Sequence, residues 1–115
     1  MASFYQWETK GFNLIIKGGE NPLQDWKQVI VSLGQNQKEV VVLSAIKDGE
    51  TDAGIEVIEA EDTVAISLTQ KQTGKFQKGK CDIQVNILYF DRERDTTIEG
   101  AVDVRNNLHK KVMNG

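Results

Sequence analysis

Histidine and cysteine, which often serve as acid–base catalysts and nucleophiles, each occur once in this 115-residue chain. His109 lies near the C-terminal end beside Lys110 and Lys111. A catalytic base needs an orienting partner and a walled pocket, and a terminal tail provides neither. Cys81 follows Lys80, but strand alternation points these two side chains to opposite faces. We therefore predict that Cys81 is a small buried core residue and that the chain is not an enzyme.

Carboxylates, which could hold a cation, are concentrated in the stretch 48–62, which contains no basic residue. Four of them fall at positions 1, 3, 5 and 12 of an EF-hand loop, namely Asp48, Glu50, Asp52 and Glu59. Position 6 is Ala53, where that loop needs glycine, and strand-like sequence flanks the stretch instead of helices. A solvated acidic loop is the favoured interpretation, with a weak surface calcium site as the alternative. We predict no cofactor.

A group of lysines forms a basic patch opposite in sign to the acidic stretch, and consists of Lys71, Lys75, Lys78 and Lys80. Neither interleaved aromatic residues nor a glycine-rich phosphate loop accompanies them, so a solvated face is the simplest interpretation. Contact with the acidic stretch of a neighbouring copy is the alternative, because complementary charges guide subunits into register.

Composition indicates one globular domain, 1–115, with 105–115 as a possible appendage. Hydrophobic residues make up 39% and charged residues 27% of the chain, and the net charge is −3. Nucleic-acid binders normally show a basic stripe, and membrane spans need about 20 consecutive apolar residues. The sequence shows neither, and it has no secretory signal pattern. A single cysteine allows no internal disulfide, which fits a reducing compartment.

Three runs in the second half alternate apolar and polar residues with a period of two, namely Thr63–Leu68, Lys80–Tyr89 and Thr96–Val104. Alternation of this kind predicts strands with one face on a core and the other in water. The link 90–95 has hairpin length, so we expect the last two strands to pair in antiparallel fashion. In the last strand, Ile98, Gly100, Val102 and Val104 are predicted to face inward.

The remaining sequence predicts shorter strands around residues 12–16, 29–33 and 55–58, and a helical turn at 70–73 between Thr69 as N-cap and Gly74. The run 39–43 is apolar on both faces, which indicates either a central strand or a strand that lies partly under a loop. Together these elements predict an all-β fold: an immunoglobulin-like antiparallel β-sandwich of about seven strands. Its predicted core comprises Phe12, Leu14, Val29, Val31, Val64, Ile66, Leu68, Ile83, Val85, Ile87, Val102 and Val104.

A characteristic order of residues runs through the second half of the chain. Leu68-Thr69-Gln70 precedes Thr73, and Lys78-Gly79-Lys80 leads into a strand that contains Gln84-Val85. The final strand ends with Thr96–Val104. This order resembles that of small phage and prophage structural proteins with an immunoglobulin-like fold, and its layout is similar to the N-terminal domains of phage baseplate upper proteins. The resemblance implies that fold and a structural role in a phage particle.

Two functions follow as expectations. The first is a non-enzymatic structural or accessory virion component of the head, neck or baseplate, acting through protein–protein contacts. Its partners would be other phage structural proteins or copies of itself in a homo-oligomer, and it would be found in the virion or the bacterial host cytoplasm. The alternative is a small carbohydrate- or ligand-binding β-sandwich module in which Tyr5, Trp7 or Trp26 stacks on the ligand. Neither expectation includes a nucleic-acid or membrane partner.

Both ends of the chain are more apolar than unattached termini need to be. The predicted interaction residues are Phe4, Tyr5 and Trp7 at the N-terminal end, and Leu108, Val112 and Met113 in the tail. Two interpretations of the N-terminal aromatics remain open here: core residues of a first strand, or a contact with another chain.

Overall fold

The computed structural model describes residues 3–17, 22–90 and 96–105. In these ranges the chain forms eight strands: β1 (Ser3–Tyr5), β2 (Lys10–Ile15), β3 (Trp26–Gln35), β4 (Lys38–Ile46), β5 (Ile55–Ile58), β6 (Thr63–Leu68), β7 (Gly79–Tyr89) and β8 (Thr96–Arg105). One short helix, α1 (Gln70–Thr73), lies between β6 and β7, and a 3-10 turn covers Glu59–Glu61.

The strands form two sheets that pack face to face. One sheet has the order β1-β8-β7-β3-β4 and the other the order β2-β6-β5. This is the strand arrangement of an immunoglobulin variable-type domain, in which strands G, F, C and C′ share one sheet and B, E and D the other. The predicted immunoglobulin-like β-sandwich is therefore confirmed. Its pairing is antiparallel except between β1 and β8, which run parallel.

In β6, β7 and β8 the period-two pattern identified the core side chains correctly. The ends of β6, β7 and β8 agree with the sequence prediction to within one residue. The described inward side chains are buried, among them Val64, Ile83, Val102 and Val104. Apolar side chains on facing sheets exclude water from each other, and this burial is the main force that holds such a sandwich together.

The structure excludes one of the two interpretations of the run 39–43. The run lies in β4, which is an edge strand of the larger sheet and not a central one, and Val42 is 43% exposed. On the same face of β4, Ile46 is 39% exposed. The strand β6 lies in the sheet opposite β7 and β8, because α1 and the following turn carry the chain across the sandwich.

Helix α1 forms for the predicted reason. The Thr69 hydroxyl accepts a hydrogen bond from the Gln72 amide at 3.2 Å, and the Gln72 side chain accepts one from the Thr69 amide at 2.8 Å. This reciprocal pair is a capping box. Gly74 ends the helix, but with a right-handed φ of −67°, so glycine is not needed there for its backbone freedom. A Cβ at Gly74 would lie 2.5 Å from the ring of Trp7, so the close approach of that ring requires the glycine.

Three groups of predicted residues lie outside the described residues: the link 91–95, His109 and the tail residues Leu108, Val112 and Met113. The strands on either side of the link, β7 and β8, pair in antiparallel register as expected. Within the described ranges, no helix is long and apolar enough to cross a membrane.

Candidate functional site

The aromatic residues near the N-terminus divide between the core and the surface. Phe4 is 1% exposed and makes edge-to-face contacts with Phe12 and Phe76, with ring centroids 6.0 Å and 5.4 Å away. Its ring packs in the core of this chain, which agrees with the first of the two interpretations for this residue, a core residue of a first strand. Alternation along β1 turns the next side chain outward, and Tyr5 is 44% exposed. Trp7 is half-buried against Gly74.

The described aromatics do not assemble into a platform for stacking on a sugar ring. Trp26 is buried at the start of β3, with Lys47 Nζ 5.8 Å from its ring centroid. The exposed aromatics are Tyr5, at the end of β1, and Phe90, which follows β7. Tyr5 lies beside the C-terminal end of β8, which pairs with the start of β7, whereas Phe90 follows the end of β7. These two rings are therefore at opposite ends of the sheet.

Cys81 is buried on the inner face of β7, as predicted. Burial raises the pKa of its thiol to about 11, and the neighbouring Asp82 carboxylate acts in the same direction. Lys80 instead pairs with Asp82 at 3.3 Å on the outer face. The thiol is therefore protonated at neutral pH, which disfavours nucleophilic chemistry.

This pKa gives the protein a specific alkaline sensitivity. The folded state keeps Cys81 neutral, whereas the unfolded chain ionises it at a lower pH, near the usual thiol value of about 8.5. Stability from this residue is therefore fully present below that pH and is lost as the pH rises toward about 11. We expect the difference in urea midpoint between wild type and Cys81→Ala to shrink between pH 8 and pH 11. A constant difference would contradict the raised pKa.

The carboxylates of the acidic stretch 48–62 are spread apart. Among the described residues, no three His, Cys, Asp or Glu side chains converge at a position that could hold a metal ion. Two of the four predicted ligands have other partners: the Asp52 carboxylate accepts a hydrogen bond from the Ser44 amide at 2.8 Å, and Glu59 pairs with Lys47 at 3.6 Å. The lysines of the basic patch, including Lys71 and Lys75, are exposed to solvent.

The most distinctive feature is an open side of the sandwich, where the edge strands β2 and β8 face each other across the two sheets. On β8, β1 pairs only with residues 103–105, so within the described ranges residues 96–102 have no strand beside them on that side. Strand β2 is also an edge strand, since β6 is its only neighbour within the described sheet. The sandwich therefore presents two unpaired edges along one side.

The backbone of β8 offers hydrogen-bonding groups at this open side. The Arg105 carbonyl accepts a hydrogen bond, at 3.0 Å, from the backbone amide of Gln6, the residue that follows β1. Because backbone groups alternate in direction along a strand, those of Ala101, Glu99 and Thr97 point to the same side as those of Arg105. Beyond β1 they meet no neighbouring strand in the described structure.

Between the two edges lies an apolar channel of about 300 Å³, which we call the β2–β8 channel. Its residues come from β2 (Phe12 to Ile15), Ile16, β7 (Ile83 and Val85) and β8 (Glu99 to Val102). Phe12 and Leu14 were predicted as core residues but are only partly buried, because they line this opening in the described part of the chain. Ile15, at the rim, is 64% exposed.

Gly100 is the residue that opens this channel. It pairs with Ile83 and shares the inner face with Val102, so a larger residue here would belong to the core. A Cβ built on Gly100 meets no atom within 4 Å, and its backbone is not in the left-handed region. Neither crowding nor backbone conformation requires this glycine. A glycine inside a strand often marks a place where another chain approaches closely.

A second groove, of about 580 Å³, lies between β4 and the end of β6. Here the sheet edge is already partly occupied, because Ser44 exchanges hydrogen bonds with Asp52 and the Ile46 amide donates to the Glu50 carbonyl. The groove is lined by Leu43 and Leu68 together with several polar residues, and by no aromatic residue. The β2–β8 channel is therefore the stronger candidate, because both of its edges are unpaired.

Sequence reasoning did not find this channel. Alternation placed Gly100 on the inner face of its strand, and this inward glycine was the one feature of the sequence that could have indicated the channel. Which strands would cover it depends on how the sheets end, which the pattern does not encode. The predicted interaction residues of the N-terminal segment lie elsewhere: none of Phe4, Tyr5 and Trp7 lines the channel.

No protein-family model matches the sequence, and no match to a curated protein was found. The structure is similar to part of the endo-β-1,4-mannanase from Thermotoga petrophila, with a TM-score of 0.54, 8% identity, and coverage of 92% of this chain but 18% of that enzyme. Murine CRIg gives a TM-score of 0.49 and 13% identity over 92% of this chain and 91% of that protein. At such identity the mannanase similarity supports the sandwich fold alone. Neither protein is a phage component, so the phage resemblance stays a prediction.

Proposed function

We propose that this chain is a non-enzymatic structural or accessory component of a phage or prophage particle, acting in the head, neck or baseplate through protein–protein contacts. The observation that carries the proposal is the open side of the sandwich. Two unpaired strand edges and an apolar channel are features that monomeric β-proteins normally cover or protect with charges, because they promote association. An assembly component uses such a surface when it joins its neighbours.

The described side chains also favour binding over catalysis. The single cysteine is buried and protonated, and the carboxylates of 48–62 are dispersed over the surface. The carbohydrate-binding alternative has less support, since Trp26 is buried, Trp7 packs on Gly74, and the exposed rings of Tyr5 and Phe90 lie far apart. Aromatic stacking on a sugar needs rings that are exposed together at one site.

Mass spectrometry of purified particles tests this proposal. After prophage induction of the source strain, particles are separated from soluble protein on a density gradient. We expect the chain to sediment with the particles and to remain after a wash in high salt, because apolar burial and backbone hydrogen bonds are screened little by salt. A chain found only in the soluble fraction would contradict a structural role in the particle. An accessory role in assembly would then remain only if particle yield falls when the gene is deleted.

A further inference from the structure

We propose that the β2–β8 channel binds an extended segment of another protein as an added β-strand, with apolar side chains alternating into the channel and a basic side chain opposite Glu99. This proposal names the kind of partner that the proposed function requires. It rests on that function in one respect: the segment is taken to belong to a particle protein. Strand addition to an exposed sheet edge is a common way to recognise peptides.

The backbone of β8 determines the shape of the ligand. The groups of Thr97, Glu99 and Ala101 point to the open side at the spacing of alternate residues in a strand. Only another extended backbone presents donors and acceptors that match this spacing. A compact small molecule would leave most of these groups to water, so the edge favours a polypeptide.

The channel determines which side chains the segment carries. Ile83 and Val85 form its floor, and the side chains of Phe12 and Leu14 line the opposite wall. The missing side chain at Gly100 leaves space above Ile83. Every second residue of an added strand points into the space between the two sheets, alongside Gly100 and toward Phe12 and Leu14, so alternate positions of the segment should be apolar.

Charge disfavours a second copy that pairs β8 against β8 about Glu99. Glu99 is exposed in the middle of the open part of β8. If two copies paired through β8 about this residue, the two Glu99 side chains would lie opposite each other, which is destabilising. A lysine or arginine opposite Glu99 instead forms a cross-strand ion pair. We therefore assign the channel to another protein with a basic residue at that position.

A tethered strand tests this without knowledge of the natural partner. The full chain is extended after Gly115 by a flexible Gly/Ser linker of about 20 residues and the segment TVTVKVTVT. A linker of that length reaches about 25 Å on average and raises the effective concentration of a weak ligand to the millimolar range. One control segment carries Glu instead of the central Lys, and a second has the same composition without alternation.

We expect the lysine-centred segment to slow amide exchange of Glu99 and Ala101 by about tenfold or more and to raise the thermal midpoint, because these amides gain partners. Neither control should do so. In Glu99→Lys the preference should reverse, so that the glutamate-centred segment protects and the lysine-centred segment does not. This exchange of preference would not arise from a general change in stability.

The variant Gly100→Val provides a second test of the proposal. Without a tether, the valine should raise the thermal midpoint by about 3–6 °C, because it replaces a strand glycine and covers Ile83. In the tethered protein it should abolish the protection of Glu99 and Ala101. Gly11→Val is the matched control: Gly11 is a strand glycine with ordinary contacts of 3.7 Å that does not line the channel. It should leave the protection intact.

Three results would overturn the proposal. The first is unchanged exchange of Glu99 and Ala101 with every tethered segment. The second is equal protection by the alternating and non-alternating segments. The third is a dimer of the untethered protein by light scattering, with both amides already protected, which would assign the channel to a second copy. A failure of the proposed function would give a different result. The chain would be absent from particles, but the purified chain would still bind the tethered strand.

Discussion

Val31→Asp should leave the domain unfolded at 25 °C. Val31 is fully buried in β3, a strand flanked on both sides, where it pairs with Leu43 of β4 and Val85 of β7. An aspartate there is either a charge without a partner or a protonated carboxyl in an apolar layer. The cost is several kcal/mol, against a total stability of about 5–15 kcal/mol for a domain. Circular dichroism and thermal melting report the loss directly.

Ser32→Asp is the matched control, since it adds the same charge one residue further along β3. Ser32 is half-buried on the outer face, between Val42 and Gln84, where the carboxylate reaches water. We expect a cooperative transition close to that of the wild type. If Val31→Asp melted normally while Ser32→Asp unfolded, the two faces of the larger sheet would be assigned the wrong way round.

Phe4→Ala should lower the free energy of unfolding by about 3–5 kcal/mol, the usual cost of removing a buried aromatic ring. Phe4 is 1% exposed and packs between Phe12 and Phe76, so its loss leaves a cavity where β1 joins the core. Urea unfolding followed by the fluorescence of the two tryptophans, Trp7 and Trp26, measures the difference.

Tyr5→Ala separates this packing effect from the loss of any N-terminal aromatic. The Tyr5 side chain points outward from the neighbouring position, so its removal should change stability by about 0.5 kcal/mol or less. Equal losses in the two variants would show that Phe4 is not buried as described. A stable Phe4→Ala protein that no longer enters particles would return Phe4 to the set of contact residues.

Much of the fold could be predicted because its signal is local. The period of two in β6, β7 and β8 sets their ends and the face that each turns inward, since alternate side chains point to opposite sides of any strand. The capping box at Thr69 and Gln72 is likewise a relation between residues three positions apart. Such features need no knowledge of the rest of the chain.

The features that were missed are non-local. The apolar run in β4 has the composition of a central strand, but its position at the sheet edge depends on which strands pair, and pairing partners lie far apart in sequence. The close approach of Trp7 to Gly74 joins the N-terminal turn to the end of α1. The open channel depends on how little of β8 is covered by β1. The sequence showed a glycine on an inward face at position 100, and only the structure shows the space beside it.

The central claim, that the open side of the sandwich contacts another protein in a phage particle, is tested most directly by photo-cross-linking inside assembled particles. The photoreactive amino acid p-benzoylphenylalanine replaces Ile15, at the rim of the channel, or Glu56, exposed on β5 at the opposite edge of the same sheet. Illumination of particles should link position 15 to one other particle protein through an extended segment, and should yield no such product from position 56. Equal cross-linking from both positions, or a chain incorporated into particles with no product from position 15, would contradict the claim.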